Sequence, residues 1–227
     1  ATLSSTERTL VQLARIELLR PAILLADRML AFAPPGAADA IYRTLRVLGT
    51  TVISAPASRE ELGLTDKLVV LDAGRIVQQG NSAEVYASPA DEAAAIATGD
   101  VNVVPVTIRG NVVQSIIGEW DVEPPPFAGT GVALIRPDDF AIAKRGEDSD
   151  LIFGIEEAAF SDGRWHCRGM LSGNLMLHVT LPRDAPVHKG KLVALRYDPA
   201  RIRLVARDIA MPEVIPTDVV PSLRESR

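Results

Sequence analysis

Up to about Gly99 the chain alternates helical periodicity with short continuous apolar runs. Leu10, Leu13, Ala14 and Leu18 recur at spacings of three and four, as on one face of a helix. Pro21 ends that helix, and Ala22 to Ala26 then predicts a strand buried on both faces. A turn follows at Ala33-Pro34-Pro35-Gly36. A second helix, about Ala37 to Leu48, carries Ile41, Leu45 and Leu48 on one side and has Gly49 just past its end. Thr51 to Ser54 and Leu68 to Leu71 predict two more strands, and Ala73-Gly74 turns the latter into Ile76-Val77. Ser58 with Glu61 forms a capping-box pattern for a short helix, Asn81 with Glu84 a possible cap, and Asp91 to Thr98 a last helix. This order predicts an α/β domain, with parallel strands joined by crossover helices.

After Asp100 the period changes. Segments rich in β-formers recur at Val103 to Ile108, Val112 to Ile117, Val132 to Ile135, Ile152 to Ala158 and Trp165 to Met170. Leu175 to Leu181, Leu192 to Tyr197 and Ile202 to Val205 continue them, with Gly, Pro and Asp between. A small all-β barrel or sandwich is expected. Glu123-Pro124-Pro125-Pro126 predicts a loop, because prolines cannot donate to a ladder. Acidic Glu119, Asp121 and Glu123, and again Glu147, Asp148 and Asp150, are expected in solvated loops. From Met211 the core-forming pattern fades into a peripheral tail.

Composition narrows the function classes. Hydrophobic residues make up 47% of the chain, enough to fill a core. The net charge of −5 and the lack of a dense Lys/Arg stripe argue against nucleic acid as a partner. Aromatic residues, at 4%, are too few for base-stacking platforms. No apolar run is long enough to span a bilayer, and no leader-like opening suggests secretion. The single cysteine, Cys167, cannot form an internal disulfide and fits a reducing compartment. His166, His178 and His188 lie on separate β segments without regular ligand spacing, and adjacent His166 and Cys167 would face opposite sides of a strand.

Specific residues then meet this order of elements. Leu3-Ser4-Ser5-Thr6-Glu7 precedes a helix containing Leu13-Ala14-Arg15, and Arg20-Pro21-Ala22-Ile23-Leu24-Leu25-Ala26-Asp27 follows. That run resembles the stretch from the signature motif (LSGGQ) to the Walker B strand of ABC importer ATP-binding subunits. Asp72-Ala73-Gly74-Arg75-Ile76, Gly80, Tyr86 and Ser88-Pro89 resemble the next strand-and-turn pattern of that family. Gly131 to Phe140, with Ile135-Arg136-Pro137-Asp138-Asp139, resembles an element of the transport-associated OB (TOBE) domain. Tyr197-Asp198-Pro199 and Arg201 to Leu204 are similar to its closing strand. The resemblance spans nearly the whole chain. It implies residues 1–99 as the C-terminal part of a nucleotide-binding domain, 100–207 as a TOBE-like OB-type regulatory domain, and 208–227 as a tail.

The same resemblance assigns chemistry residue by residue. A signature turn brings backbone N–H groups at a helix N-terminus to the γ-phosphate of ATP held by the other subunit. Here Ser4 is kept, but Ser5 and Thr6 stand where the family has glycines, and Glu7 stands for the glutamine. Ser4 with Glu7 also makes an ordinary capping box. Asp27 matches the aspartate that positions magnesium, but the water-orienting glutamate is replaced by Arg28, which has no acceptor. The D-loop aspartate falls at Pro34, and the γ-phosphate-sensing histidine falls at Pro56, which has no donor. No G-x-x-x-x-G-K-[ST] run occurs; Lys189-Gly190-Lys191 is followed by Leu192.

What the resemblance implies is a catalytically degenerate ATP-binding subunit, peripheral on the cytoplasmic face of a membrane. It would be paired with a second nucleotide-binding subunit and with membrane permease subunits. Carbohydrate or polyol cargo is implied by likeness to the maltose and glycerol-phosphate importer ATPases. ATP and Mg would belong only to the complete dimer, with none expected for the isolated chain, which could form a homodimer. Two other readings stand beside it: a fragment of an active transport ATPase, and a stand-alone small-ligand sensor using the β domain.

Overall fold

A computed structural model describes residues 3–34, 36–144, 150–171 and 175–207. The chain divides into two compact units, Ala1–Gly99 and Asp100–Arg227.

In the first unit, α1 (Ser5–Leu19) opens on an extended Ser4 and closes at Arg20, whose backbone is left-handed and whose N–H bonds Ile16 O at 2.9 Å. Pro21 then bars further helix. Strand β1 (Ile23–Asp27) leads through α2 (Ala37–Val47) to β2 (Thr51–Ala55), and the two strands pair in parallel from Ile23↔Thr51 to Asp27↔Ala55. A short 3-10 helix, Arg59–Leu64, follows under the Ser58–Glu61 capping box. Burial differs from the expected doubly covered strand. Ile23, Leu25 and Ile53 lie on one face of the β1–β2 pair and are 61%, 75% and 60% exposed. Only two strands build this sheet among the described residues. The predicted apolar face of α1 likewise lines an open groove of about 300 Å³, with Leu10, Leu13 and Ala14 opposite Ile41, Leu45 and Leu48 of the α2 segment.

The third strand corrects the expected sheet. β3 (Leu68–Asp72) does not join β1 and β2; it forms an antiparallel hairpin with β4 (Arg75–Gly80). Both turn residues, Ala73 (φ 46°) and Gly74 (φ 78°), have positive φ, the geometry that folds a two-residue hairpin. α3 (Ser82–Ala87), capped by Asn81, and α4 (Glu92–Thr98), capped by Asp91, close over it around Val70, Val85 and Ala94. Gln78 ties the link between those helices, donating to Ser88 O at 2.9 Å and accepting from Ala90 N at 2.7 Å.

The second unit is built on strands. In chain order they are β5 (Asn102–Arg109), β6 (Val112–Ser115), β7 (Gly118–Asp121), β8 (Gly129–Ile135), β9 (Phe140–Ile142) and β10 (Leu151–Gly154). The rest are β11 (Glu157–Ser161), β12 (Arg164–Leu171), β13 (Leu175–Pro182), β14 (Leu192–Tyr197) and β15 (Arg203–Ala206). They form antiparallel sheets of order β15-β8-β5-β6-β7, β11-β12-β13 and β10-β14-β9 around one core that includes Val104, Val106, Phe153, Cys167, Leu177 and Leu195.

Three local readings change. Ile152 to Ala158 is not one strand, because the chain breaks at Ile155 and Glu156 between β10 and β11. Glu119 and Asp121 lie on strand β7, paired with Gln114 and Val112, rather than in a loop. The short β9 was not foreseen. Glu147, Asp148 and the stretch from Met211 lie outside the described residues, whereas Asp150 accepts from Tyr197 N at 2.9 Å.

Candidate functional site

The residues singled out in the first unit fall at two places, the N-terminus of α1 and the C-terminal end of the parallel pair. An α-helix leaves its first N–H groups without intrahelical partners, which is what makes such an end receptive to anions. Here the chain supplies the anion itself. Ser4 N–H donates to Glu7 Oε2 at 2.7 Å, and Glu7 N–H donates to Ser4 Oγ at 3.3 Å. The backbone and then the side chain of Ser4 hold the Glu7 carboxyl below its ordinary value, so it stays ionised at neutral pH. Thr6 Oγ1 donates to Phe32 O at 3.2 Å, and Arg8 Nε to Leu3 O at 3.2 Å. Ser5 is the first residue of α1.

Open α/β sheets bind ligands beyond the carboxyl ends of their strands. Asp27, the last residue of β1, is exposed there and registers with Ala55, so Arg28 and Pro56 both lie just past the sheet. Arg28 is held in the left-handed region at φ 45°, its N–H bonded to Ala55 O at 2.9 Å. The structure therefore brings Asp27, Arg28 and the turn at Pro56 together, and links Thr6 to the turn at Phe32. A groove of about 340 Å³ runs between α1 and β1, lined by Gln12, Arg15 and Ile16 on one side and Leu25, Asp27 and Met29 on the other.

Behind the Pro56 turn stands a network that sequence reasoning saw only in part. Glu61 is 3% exposed; its Oε1 accepts from Ala57 N (2.7 Å) and Ser58 N (3.1 Å), and its Oε2 from the Tyr42 hydroxyl (3.0 Å). Tyr42 also lies 3.1 Å from the Ser54 hydroxyl, and burial raises its own pKa. The Ser58–Glu61 pattern was legible as a cap. The tie to Tyr42, nineteen residues away, was not.

The sequence contains no G-x-x-x-x-G-K-[ST] run, and the Glu7 carboxylate occupies the N-terminus of α1. Among the described residues no group of three or more His, Cys, Asp or Glu side chains could hold a metal ion. Also among them, no helix is long and apolar enough to cross a membrane.

In the second unit two of the histidines lie on separate strands, as expected, but the register brings them side by side. His166 on β12 and His178 on β13 have ring centres 6.0 Å apart, while Cys167 is buried on the other face. His178 Nδ1 lies 3.6 Å from Asp100 Oδ2. Burial, Arg168 and His166 lower the His178 pKa against the opposing pull of Asp100, and burial raises that of the Cys167 thiol.

No family model matches the chain. Curated relatives do. The chain is 36% identical over 142 residues, 60% of its length and 41% of the relative's, to the Fe(3+) ions import ATP-binding protein FbpC of Streptomyces avermitilis. It is 29% identical over 219 residues, 88% of its length and 59% of the relative's, to a sulfate/thiosulfate import ATP-binding protein of Chromobacterium violaceum. A second Fe(3+) ions import ATP-binding protein, of Pseudomonas fluorescens, is 30% identical over 153 residues, 65% of this chain and 44% of that protein. The chain spans about half the length of the curated relatives it matches. Its homologues are thus ATP-binding subunits of importers, and their names carry iron and sulfate rather than a carbohydrate or polyol.

Proposed function

We propose that the chain is part of an ABC importer ATP-binding subunit that has lost hydrolysis and serves as a structural and regulatory half of a nucleotide-binding pair. In this reading residues 1–99 are the C-terminal part of the nucleotide-binding domain, 100–207 a TOBE-like OB-type domain and 208–227 a tail. The subunit sits on the cytoplasmic face of the membrane against permease subunits. ATP and Mg belong to the complete transporter, where an intact partner supplies the phosphate loop and the hydrolytic residues. Asp27 is the remnant that would face the ion. Iron or sulfate-type cargo is favoured over carbohydrate or polyol by the names of the relatives.

The observation that carries the reading is the closed Ser4–Glu7 box. A γ-phosphate arriving at α1 would meet an ionised carboxylate already bonded to the helix end, together with side chains in place of two glycines. Arg28 and Pro56 supply neither a base nor a phosphate donor at the strand ends. The exposed side chains of Ile23, Leu25 and Ile53 support association through residues 1–99, with the partner subunit in the importer or with another copy when the chain is isolated.

Titration of the chain with a non-hydrolysable ATP analogue and magnesium, followed at the backbone amides of Ser4 to Glu7 by NMR, tests the closed turn. The expected result is no saturable shift at these amides up to millimolar nucleotide. A saturable shift there would overturn the proposal.

A further inference from the structure

We infer that His166 and His178 form a two-histidine site for a borderline divalent transition cation, of the zinc, nickel or copper type, on the outer face of the β12–β13 ribbon. The inference is independent of the transport reading. In the register of these strands Arg168 faces His178 and Thr180 faces His166, so the two imidazoles are diagonal neighbours on one face. An imidazole nitrogen about 2.0–2.1 Å from zinc puts its ring centre about 3 Å from the ion, so two rings share one ion when their centres are about 5–6 Å apart. The observed separation of 6.0 Å, with the rings tilted by 50°, falls at the upper end of that range.

Two features hold the pair in place. Asn102, 5% exposed, accepts from His178 N at 2.7 Å and donates to His178 O at 2.8 Å, clamping the backbone of β13 at the proposed ligand. The Asp100 carboxylate stands 3.6 Å from His178 Nδ1, within ion-pair range and on the side that a carboxylate takes behind a ligating histidine, so Nε2 is the nitrogen assigned to the ion. The His178 side chain is 20% exposed, so an ion can enter from solvent and water can complete its coordination. Soft-to-borderline cations suit imidazole, whereas magnesium and calcium prefer oxygen. Arg168, opposite His178, opposes any cation, so affinity should fall well below that of a closed four-ligand cage.

The test is calorimetric titration of the whole chain with zinc chloride near pH 7.5, where histidine is ordinarily neutral, with the imidazole resonances followed in parallel. One equivalent should bind and move the rings of His166 and His178 but not that of His188. His166→Ala and His178→Gln should each lower the affinity at least tenfold, and Asp100→Asn about tenfold. Unchanged circular dichroism of each variant shows that the loss is not unfolding. The inference is overturned if zinc fails to bind saturably below millimolar concentration. It is equally overturned if His166→Ala binds as the parent does, or if His188→Ala loses as much as the pair.

Discussion

Gly169→Ala should destabilise the second unit by about 3 kcal/mol or more, or prevent it from folding. Gly169 lies on β12 where that strand crosses β10. A Cβ there would overlap the carbonyl oxygen of Gly154 and stand 2.9 Å from its carbonyl carbon and 3.0 Å from Phe153 Cε2. Two backbones and a fully buried phenyl ring meet at this point, so no flexible side chain can give way. Gly154→Ala is the control: its Cβ would meet only Leu192 Cδ2, at 3.5 Å, an ordinary contact. It should cost about 1 kcal/mol or less. Both tryptophans of the chain, Trp120 and Trp165, pack against this core, so denaturant unfolding followed by tryptophan fluorescence reports on this unit specifically.

In the first unit the largest effect is expected at Glu61. Glu61→Ala strips the acceptor from two backbone N–H groups and from the buried Tyr42 hydroxyl, at a cost of about 3 kcal/mol. Glu61→Gln keeps a carbonyl acceptor and should recover part of that loss. Tyr42→Phe, which removes only the hydroxyl, should cost about 1 kcal/mol. Hydrogen exchange at the β1 and β2 amides is the measurement, because the tryptophans do not see this unit. Equal protection in Glu61→Ala and the parent would mean that the Pro56 turn does not depend on this network.

Legibility followed the range of the interaction. Caps are local: Ser4 with Glu7, Asn81 with Glu84 and the Asp91 start of α4 depend on residues three or four apart, and all were visible in the sequence. The parallel β1–β2 pair was visible too, because a helix of suitable length separates two apolar runs. β3 misled because its apolar run looks like a third parallel strand, yet the positive-φ turn at Ala73-Gly74 pairs it with its own neighbour. The burial of β1 was overestimated, because hydrophobicity says what a face needs and not what covers it. At the candidate site the sequence named Ser4, Ser5, Thr6, Glu7 and Asp27. It offered both a cap and a phosphate-binding turn for Ser4 and Glu7, and the structure shows the cap formed. The Tyr42–Glu61 tie and the His166–His178 pair depend on register across separate strands and helices, which no spacing along the chain encodes.

The proposed loss of ATP hydrolysis at the Asp27 strand end is open to a turnover measurement. Phosphate release with magnesium and ATP should be measured on the longest native form of the protein, beside its Asp27→Asn variant. No turnover above background is expected in either, because in the proposed reading Arg28 and Pro56 stand where a base and a phosphate sensor would be needed. Measurable turnover in the parent that disappears in Asp27→Asn would contradict it.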